Sequence, residues 1–255
     1  MSTNKIWTFV GCSLTYGEGL PGGLSDPDNY TQLIGQHYDV TVNNLSRRGN
    51  SNYQIFMTAI NEILYNTPDK LFVQWSALNR LWLYPGPDTE FVVSFDHSED
   101  YNYRDIYYSK KELQQFSDQF HILNHDYQNL LTICNYSRIL NTLSMNKTGL
   151  VFVNGLLTWT PEIMDPLSIS NMSDTFSDYT KEILEFDSRS DDEIIRFFNQ
   201  LNQAAIQLDM KQWVNMFESL KAQQIDIADD IVHPGSKSHH KYADMIINYL
   251  EGQNG

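Results

Sequence analysis

The sequence predicts an α/β fold built on a parallel, doubly wound sheet. Two observations lead to this prediction. Short apolar runs alternate along the chain with longer segments of helical periodicity. In addition, the 255 residues, 41% of them hydrophobic, are enough to bury one enzyme-sized core. Because no internal repeat or Gly/Ser-rich linker divides the chain, we expect a single domain over residues 1–255.

The predicted strands and helices follow one another in order. Residues 5–10 predict the first strand, because their continuous apolar character is typical of a strand buried on both faces. Later apolar runs predict strands at residues 38–45, 71–75 and 150–153. Apolar side chains recur at helical spacing in three segments, which predict helices over residues 53–64, 127–143 and 236–250.

Two segments do not fit this alternation. Residues 80–120 contain a stretch that is dense in aromatic and acidic side chains, and residues 158–192 are rich in Ser, Asp and Thr without a clear period. We expect both to be insertions at one edge of the sheet.

Composition excludes several classes of function. The chain has 17 basic and 32 acidic residues, and its net charge of -15 repels phosphate backbones, so we expect no nucleic-acid partner. No apolar run suits a signal peptide or a membrane span, which predicts a soluble, cytoplasmic protein, or one released by lysis or carried in a particle. The two cysteines form no disulfide scaffold, and no Cys/His spacing predicts a metal site.

Two short segments contain residues that can carry chemistry. Ser13 follows the first strand, at the edge of a parallel sheet where ligands bind, and it is either a nucleophile or an ordinary turn residue. Asp230 precedes His233 by three residues, so its carboxylate can fold back onto Nδ1 of the imidazole. The alternative for this pair is a surface loop with a solvated acid.

A serine at the edge of the first strand and a histidine after the last strand can meet at one rim of the sheet. The loops after the second and third strands add Gly49, with a backbone N–H, and Asn79, with an amide N–H. Such donors can stabilise an oxyanion. Four loops would then supply the minimum set of groups for acyl transfer.

These blocks resemble those of the SGNH, or GDSL-type, hydrolases. Residues 11–19, GCSLTYGEG, are similar to the GDSxTxG block, and residues 44–52, NLSRRGNSN, are similar to the second block. The segment DDIVHPGSKSHHKYA is similar to DxxHPxxxGHxxxA. The resemblance implies a three-layer α/β/α, flavodoxin-like domain with about five mostly parallel strands. It also implies a serine esterase without a cofactor, with Ser13 as nucleophile, His233 as general base and Asp230 as the residue that orients it.

The resemblance further implies an oxyanion hole made by the N–H groups of Ser13 and Gly49 and the side chain of Asn79. Residues 77–80, ALNR, lack the glycine and the aspartate of the family's third block, GxND. An alternative register places Ser76 at the donor position.

Two further departures lie in the first and last blocks. Cys12 replaces the usual aspartate, which removes a hydrogen-bonding group from the first loop. A thiolate nucleophile at Cys12 would need a nearby cation, and none is close in sequence, so Ser13 is the preferred nucleophile. His239 matches a recurring structural histidine at the start of the final helix, and Ser238 stands where glycine is usual.

A dinucleotide motif is excluded by its position. Gly17, Gly19 and Gly22 satisfy GxGxxG, but they begin several residues after the strand and include Pro21 where a helix should open. We therefore expect no nucleotide cofactor at this loop.

The substrate is suggested only by the aromatic insertion. Trp82, Tyr84 and Tyr103, with nearby acids, are typical of surfaces that stack on sugar rings, which favours a saccharide ester and a carbohydrate O-acetyl esterase. The alternative is an aromatic cluster that packs onto the domain or forms a contact in a homo-oligomer. A catalytically weak SGNH-like binding or structural module, an acyltransferase and a lipase or thioesterase on a small-molecule ester also stay open.

Overall fold

The computed structural model describes residues 5–77, 80–86, 89–94, 101–103, 106–108, 126–145, 147–156, 212–214 and 219–252. The strands are β1 (Ile6–Val10), β2 (Thr41–Asn44), β3 (Lys70–Trp75), β4 (Arg80–Gly86), β5 (Thr89–Ser94), β6 (Tyr101–Tyr103), β7 (Ile106–Tyr108) and β8 (Gly149–Asn154). The helices are α1 (Ser13–Tyr16), α2 (Tyr30–Tyr38), α3 (Asn52–Asn61), α4 (Asp126–Ser144) and α5 (Ser236–Gly252).

The central sheet confirms the predicted α/β class. Its strand order is β2-β1-β3-β8, and all of its pairings are parallel. The described residues contribute four strands to this sheet, compared with the expected number of about five. Because parallel strands end on one side, the residues that follow β1, β2 and β3 lie along a single edge, where ligands bind in such folds.

One face of the sheet packs against α2 and α5. Phe9 of β1 stacks on its register partner Phe72 of β3 at 4.4 Å between ring centroids. Tyr30 of α2 meets Phe9 at 6.3 Å and Tyr242 of α5 at 6.3 Å, in both cases edge to face. All four rings are buried, so this layer is part of the main hydrophobic core.

The opposite face packs against α3 and α4. Trp75 points to the other side of β3 from Phe72, since the two positions differ by an odd number of residues. Its ring lies 6.3 Å from Tyr136 of α4, which stacks on Phe56 of α3 at 3.9 Å. Helices therefore cover both faces of the sheet, in the three layers that the resemblance implies.

The second predicted strand has different bounds in the structure. The segment 38–45 contains β2 only from Thr41, while Tyr38 ends a helix, α2, that the periodicity analysis did not predict. Asn29 caps α2 by accepting a hydrogen bond from the N–H of Thr31 at 3.0 Å, and Asp39 ends it in the left-handed region at φ 51°. The turn at Asp39 separates the helix from the strand.

The first predicted insertion contains two antiparallel hairpins. One is β4 paired with β5, and the other is β6 paired with β7. Residues 109–120 and the whole of the second predicted insertion, residues 158–192, lie outside the described residues. The single-domain organisation stays a prediction. No helix in the described part of the chain has both the length and the apolar character needed to cross a membrane.

Candidate active site

Ser13 stands directly at the end of the first strand. It is the first residue of the one-turn helix α1, rather than part of an irregular turn, and it is 3% exposed. The N–H groups of a helix's first turn have no intrahelical acceptor. The backbone N–H of Ser13 is therefore one of the donors that this helix leaves available at the edge of the sheet.

Gln74 of β3 holds the loop on which Ser13 lies. Its Oε1 accepts hydrogen bonds from the N–H of Cys12 at 3.0 Å and from the hydroxyl of Thr15 at 2.9 Å. The Cys12 thiol donates to the same oxygen at 3.3 Å and is fully buried. Gln74 thus fixes the first loop although Cys12 replaces the aspartate, and burial keeps the thiol away from the surface.

Gly49 lies in the loop after β2, in a backbone conformation that suits glycine. Its φ is +71°, and a Cβ built on it would meet nothing within 4 Å, so space is open beside its backbone. The side-chain amide of Asn50 donates to the carbonyl of Gly11 at 3.0 Å, and the N–H of Arg47 donates to the same carbonyl at 3.3 Å. These bonds hold the Gly49 loop beside the end of β1.

Asn79, the predicted third oxyanion donor, lies outside the described residues. At the alternative position, the N–H of Ser76 donates to Oδ1 of Asn52 at 2.7 Å, and the Asn52 amide returns a bond to the Ser76 carbonyl at 3.2 Å. The N–H of Ser76 is therefore occupied. Its hydroxyl is buried without a hydrogen-bond partner among the described residues.

Asp230 and His233 meet as their spacing predicts. Oδ2 of Asp230 lies 2.7 Å from Nδ1 of His233, and Oδ1 accepts the N–H groups of Val232 at 3.0 Å and His233 at 2.9 Å. The hydrogen bond from the His233 backbone is the main cause that lowers the pKa of Asp230 to about 2. The carboxylate is thus ionised and can accept a hydrogen bond from a protonated Nδ1.

The loop after α1 packs directly against the loop that carries His233. Gly19 has a φ of +93°, and a Cβ on it would lie 2.6 Å from Cβ of Ala228 and 3.1 Å from Cβ of His233. Only glycine allows this approach without displacement. The neighbouring Glu18 donates its N–H to the carbonyl of Ser13 at 3.0 Å. Ser13 and His233 are therefore connected through a short, closely packed segment.

The other ring nitrogen of His233 faces a second carboxylate. Oε2 of Glu18 lies 3.4 Å from Nε2, and Oε1 of the same carboxylate lies 3.4 Å from Nε of Arg48. The Arg48 guanidinium lies over the ring of Tyr16 at 4.9 Å. Among the described residues, the partner found at Nε2 is thus Glu18 and not Ser13.

The start of α5 is fixed by Asp226. Its carboxylate accepts the N–H groups of Lys237 at 3.0 Å and Ser238 at 2.7 Å, which satisfies two donors of the helix's first turn. Burial opposes ionisation of Asp226, but the hydrogen bonds from Ser238 and Lys237 outweigh it and lower its pKa. The Ser238 hydroxyl accepts the N–H of Ile225 at 2.9 Å, a contact that glycine at this position could not make.

His239 lies near the start of α5, where the resemblance implies a structural histidine. It is fully buried, and its Nδ1 accepts the backbone N–H of Tyr30 at 3.3 Å. Burial lowers the pKa of His239 to about 4, so the ring is neutral at physiological pH. It links the N-terminal end of α2 to α5.

The predicted aromatic residues lie on the two hairpins. Trp82 and Tyr84 belong to β4, and Tyr103 belongs to β6. Among the residues whose side chains are described, no three His, Cys, Asp or Glu groups are arranged as they would be around a metal ion.

Sequence reasoning missed Glu18, Gln74 and Asn52. The signal for Glu18 is the pair of glycines on either side of it, Gly17 and Gly19, which allow left-handed backbone on both sides. Gln74 and Asn52 hold backbone groups 62 and 24 residues away along the chain, and no local pattern in the sequence reports such contacts.

The chain is similar to known proteins in structure but not in sequence. No family model matches the chain, and no curated protein is similar to it in sequence. A lipase/acylhydrolase from Enterococcus faecalis is 11% identical, with a TM-score of 0.49, over 98% of this chain and 97% of that chain. An acetyl xylan esterase, Est2A, from the rumen bacterium Butyrivibrio proteoclasticus is 12% identical, with a TM-score of 0.47, over 100% of this chain and 66% of that chain.

A third similar structure carries the family name that the sequence blocks suggest. It is described as belonging to the lipolytic G-D-S-L family, comes from Desulfitobacterium hafniense DCB-2, and is 12% identical with a TM-score of 0.40 over 96% of this chain and 99% of that chain. At such identities the likeness concerns the fold, and the residue roles proposed below rest on the geometry of this chain.

Proposed function

We propose that this chain is a serine esterase that works through an acyl-enzyme. The observation that carries the proposal is the 2.7 Å contact between Asp230 and His233, on a loop that packs against the segment following Ser13. An ionised carboxylate at Nδ1 fixes the tautomer in which Nδ1 carries the proton, and this leaves Nε2 as the basic nitrogen. A serine at the adjacent strand end is the group that such a base activates.

The reaction begins with proton transfer from Ser13 to Nε2 of His233. Oγ forms a bond to the ester carbonyl carbon, and the carbonyl oxygen takes up the negative charge. When the tetrahedral intermediate collapses, the ester C–O bond breaks, and His233 gives its proton to the departing alcohol oxygen. Water then attacks the acyl-Ser13, gives its proton to Nε2, and releases the acid as Oγ recovers a proton.

The N–H groups of Ser13 and Gly49 are the proposed oxyanion donors. One belongs to a helix's first turn, whose N–H groups have no intrahelical acceptor, and the other lies beside open space in a loop tied to Gly11. The third donor is proposed to be the side chain of Asn79, with the Ser76 hydroxyl as the alternative, since the Ser76 N–H is occupied by Asn52.

The proposed substrate is an O-acylated saccharide, bound by the hairpins of residues 80–108. Support comes from the aromatic residues Trp82, Tyr84 and Tyr103 in these strands. Substitution of Trp82 with Ala should then raise KM for an acetylated saccharide and leave turnover of a small aryl acetate unchanged. Equal losses on both substrates, with a lower melting temperature, would instead indicate packing or a subunit contact.

A second candidate function is a binding module without strong catalysis. One observation favours it: Nε2 of His233 faces Glu18 rather than Ser13. In that case the fold would hold a ligand at the same edge of the sheet, but the serine would not be activated.

Labelling with a fluorophosphonate tests the proposed function. The probe forms a bond between phosphorus and Ser13 Oγ and loses fluoride, so it needs the nucleophile and base but no knowledge of the substrate. We expect labelling of the intact chain, none with Ser13→Ala, and a loss of about a hundredfold or more with Asp230→Asn. Cys12→Ala is the matched control and should label like the parent. If the parent chain is not labelled, the binding module is favoured. If labelling is lost in Cys12→Ala but not in Ser13→Ala, the nucleophile is the Cys12 thiol and not Ser13.

A further inference from the structure

We propose that Glu18 is a positioning residue for His233. Its carboxylate holds Nε2 of His233 in the free chain and must move away before Nε2 can accept the proton of Ser13. This inference rests on the proposed function, since it concerns the same base. It adds a residue, Glu18, for which the sequence blocks assign no role, and a second residue, Arg48, that contacts the other oxygen of the same carboxylate.

The two carboxylates that flank His233 are held very differently. Asp230 makes the 2.7 Å contact to Nδ1 and receives two backbone N–H groups, so it is fixed within its own loop. Glu18 lies at 3.4 Å from Nε2, which is an ion-pair distance rather than that of a strong hydrogen bond. Asp230 is therefore the firmly held partner of His233, and Glu18 is the partner that can be displaced.

The backbone is shaped to bring Glu18 to this position. Gly17 at φ +79° and Gly19 at φ +93° place two left-handed residues around it. A Cβ at Gly17 would lie 2.4 Å from Nδ2 of Asn29, and one at Gly19 would lie 2.6 Å from Cβ of Ala228. Both glycines are required by close packing, and together they hold the Glu18 backbone against the His233 loop.

Arg48 contacts Glu18 at the same time as His233 does. Its Nε lies 3.4 Å from Oε1, the oxygen that does not face His233. The guanidinium is held over the Tyr16 ring, and 63% of the Arg48 side chain is exposed. When Glu18 leaves Nε2, Arg48 can keep its charge compensated, so the cation should favour the released state.

The contact has a direct consequence for the proton. With Nδ1 protonated toward Asp230, Nε2 either carries a proton toward Glu18 or directs its lone pair at a carboxylate oxygen, which is repulsive. In both cases Glu18 occupies the surroundings of Nε2, so its carboxylate must move away before Nε2 accepts a proton from Ser13. Among the described residues, the charged groups on this side of the fold include Asp230, Glu18, Arg48 and Lys221, whose ammonium donates to the carbonyl of Val232.

The test compares the fluorophosphonate labelling rates of Glu18→Gln and Arg48→Met. We expect Glu18→Gln to label about two- to fivefold faster than the parent at pH 7, the effect of removing a partly exposed charged contact. Arg48→Met should label more slowly, because among the described residues Glu18 then keeps its ion-pair contact with His233 alone. The slowing should disappear in the double variant. Glu251→Gln, which removes the carboxylate 3.1 Å from Nε2 of exposed His37, is the matched control and should behave like the parent.

A merely structural role would slow both single variants alike, and this result would overturn the inference. Complete loss of labelling in Glu18→Gln would also overturn it, because Glu18 would then be the base itself. If the parent chain is not labelled at all, the proposed function fails, and the ¹⁵N resonance of His233 Nε2 still decides the contact. A resonance that moves in Glu18→Gln but not in Glu251→Gln supports the contact, and one that moves in neither overturns it.

Discussion

The loop that carries His233 and the first turns of α5, which carry His239, place the same side chain in opposite surroundings. At His233, Nδ1 faces an ionised carboxylate, and the side chain is 20% exposed. At His239, Nδ1 faces a backbone N–H, and the ring is fully buried. A carboxylate requires Nδ1 to donate, whereas an N–H requires it to accept. The partner at Nδ1 therefore decides which nitrogen is left to act as a base.

The comparison predicts that the two histidines fail in different ways when each is replaced by Gln. His233→Gln should lower the fluorophosphonate labelling rate by about a hundredfold or more, because the general base is lost, while the melting temperature changes little. His239→Gln should lower the free energy of unfolding by about 1 to 3 kcal/mol, because its buried contacts with Tyr30 are disturbed. Both variants are measured by labelling and by thermal unfolding. The distinction is wrong if His239→Gln abolishes labelling at unchanged stability.

As the pH falls, the free energy of unfolding should decrease first because of the buried histidine His239 and only later because of the carboxylates. The pKa of His239 is about 4 in the folded chain and 6.5 in its ordinary state, so between these values the unfolded chain binds a proton that the folded chain does not. The stabilising effect is complete above pH 6.5 and is lost as the pH falls toward 4, by about 3 kcal/mol in all. Asp28 and Asp226, whose pKa values are lowered from 3.8, lose their contributions only at lower pH.

Urea unfolding at pH 7 and pH 4.5 measures this effect. Between these pH values, the parent chain should lose about 2 to 3 kcal/mol more than His239→Gln, which has no imidazole to protonate at this position. A parent and a variant with parallel pH dependence would show that His239 is not held neutral by burial.

The two histidine positions also differ in how far the sequence reveals them. The Asp230 to His233 spacing is local, and a three-residue fold-back predicts the contact that the structure contains. The burial of His239 follows from its place on a helix whose apolar face includes Tyr242, Ile246 and Leu250. The three-residue spacing and the helical periodicity can both be recognised in the sequence alone.

Contacts between residues far apart in the chain could not be predicted from the sequence. Glu18 meets His233 more than two hundred residues later in the chain, and the approach depends on left-handed backbone at Gly17 and Gly19. The helix α2 was missed because polar residues interrupt its apolar face, although Asn29 at its start is a typical cap. The fold class could thus be predicted from periodicity, while the surroundings of Nε2 could not.

Backbone strain distinguishes the His233 loop from α5. Ile231, between Asp230 and His233, has a φ of 56°, which is costly for a β-branched residue, and its side chain is 82% exposed. Ile231→Asn should raise the free energy of unfolding by about 1 kcal/mol, because asparagine tolerates this conformation and little packing is lost. The labelling rate should stay within about twofold, since Asp230 still receives both backbone N–H groups of the loop. The control is Val232→Asn, at a residue that is also exposed but has no positive φ, and urea unfolding should show no gain for it. Equal changes in the two variants would mean that the gain comes from removing exposed apolar surface and that the loop stores no strain at Ile231.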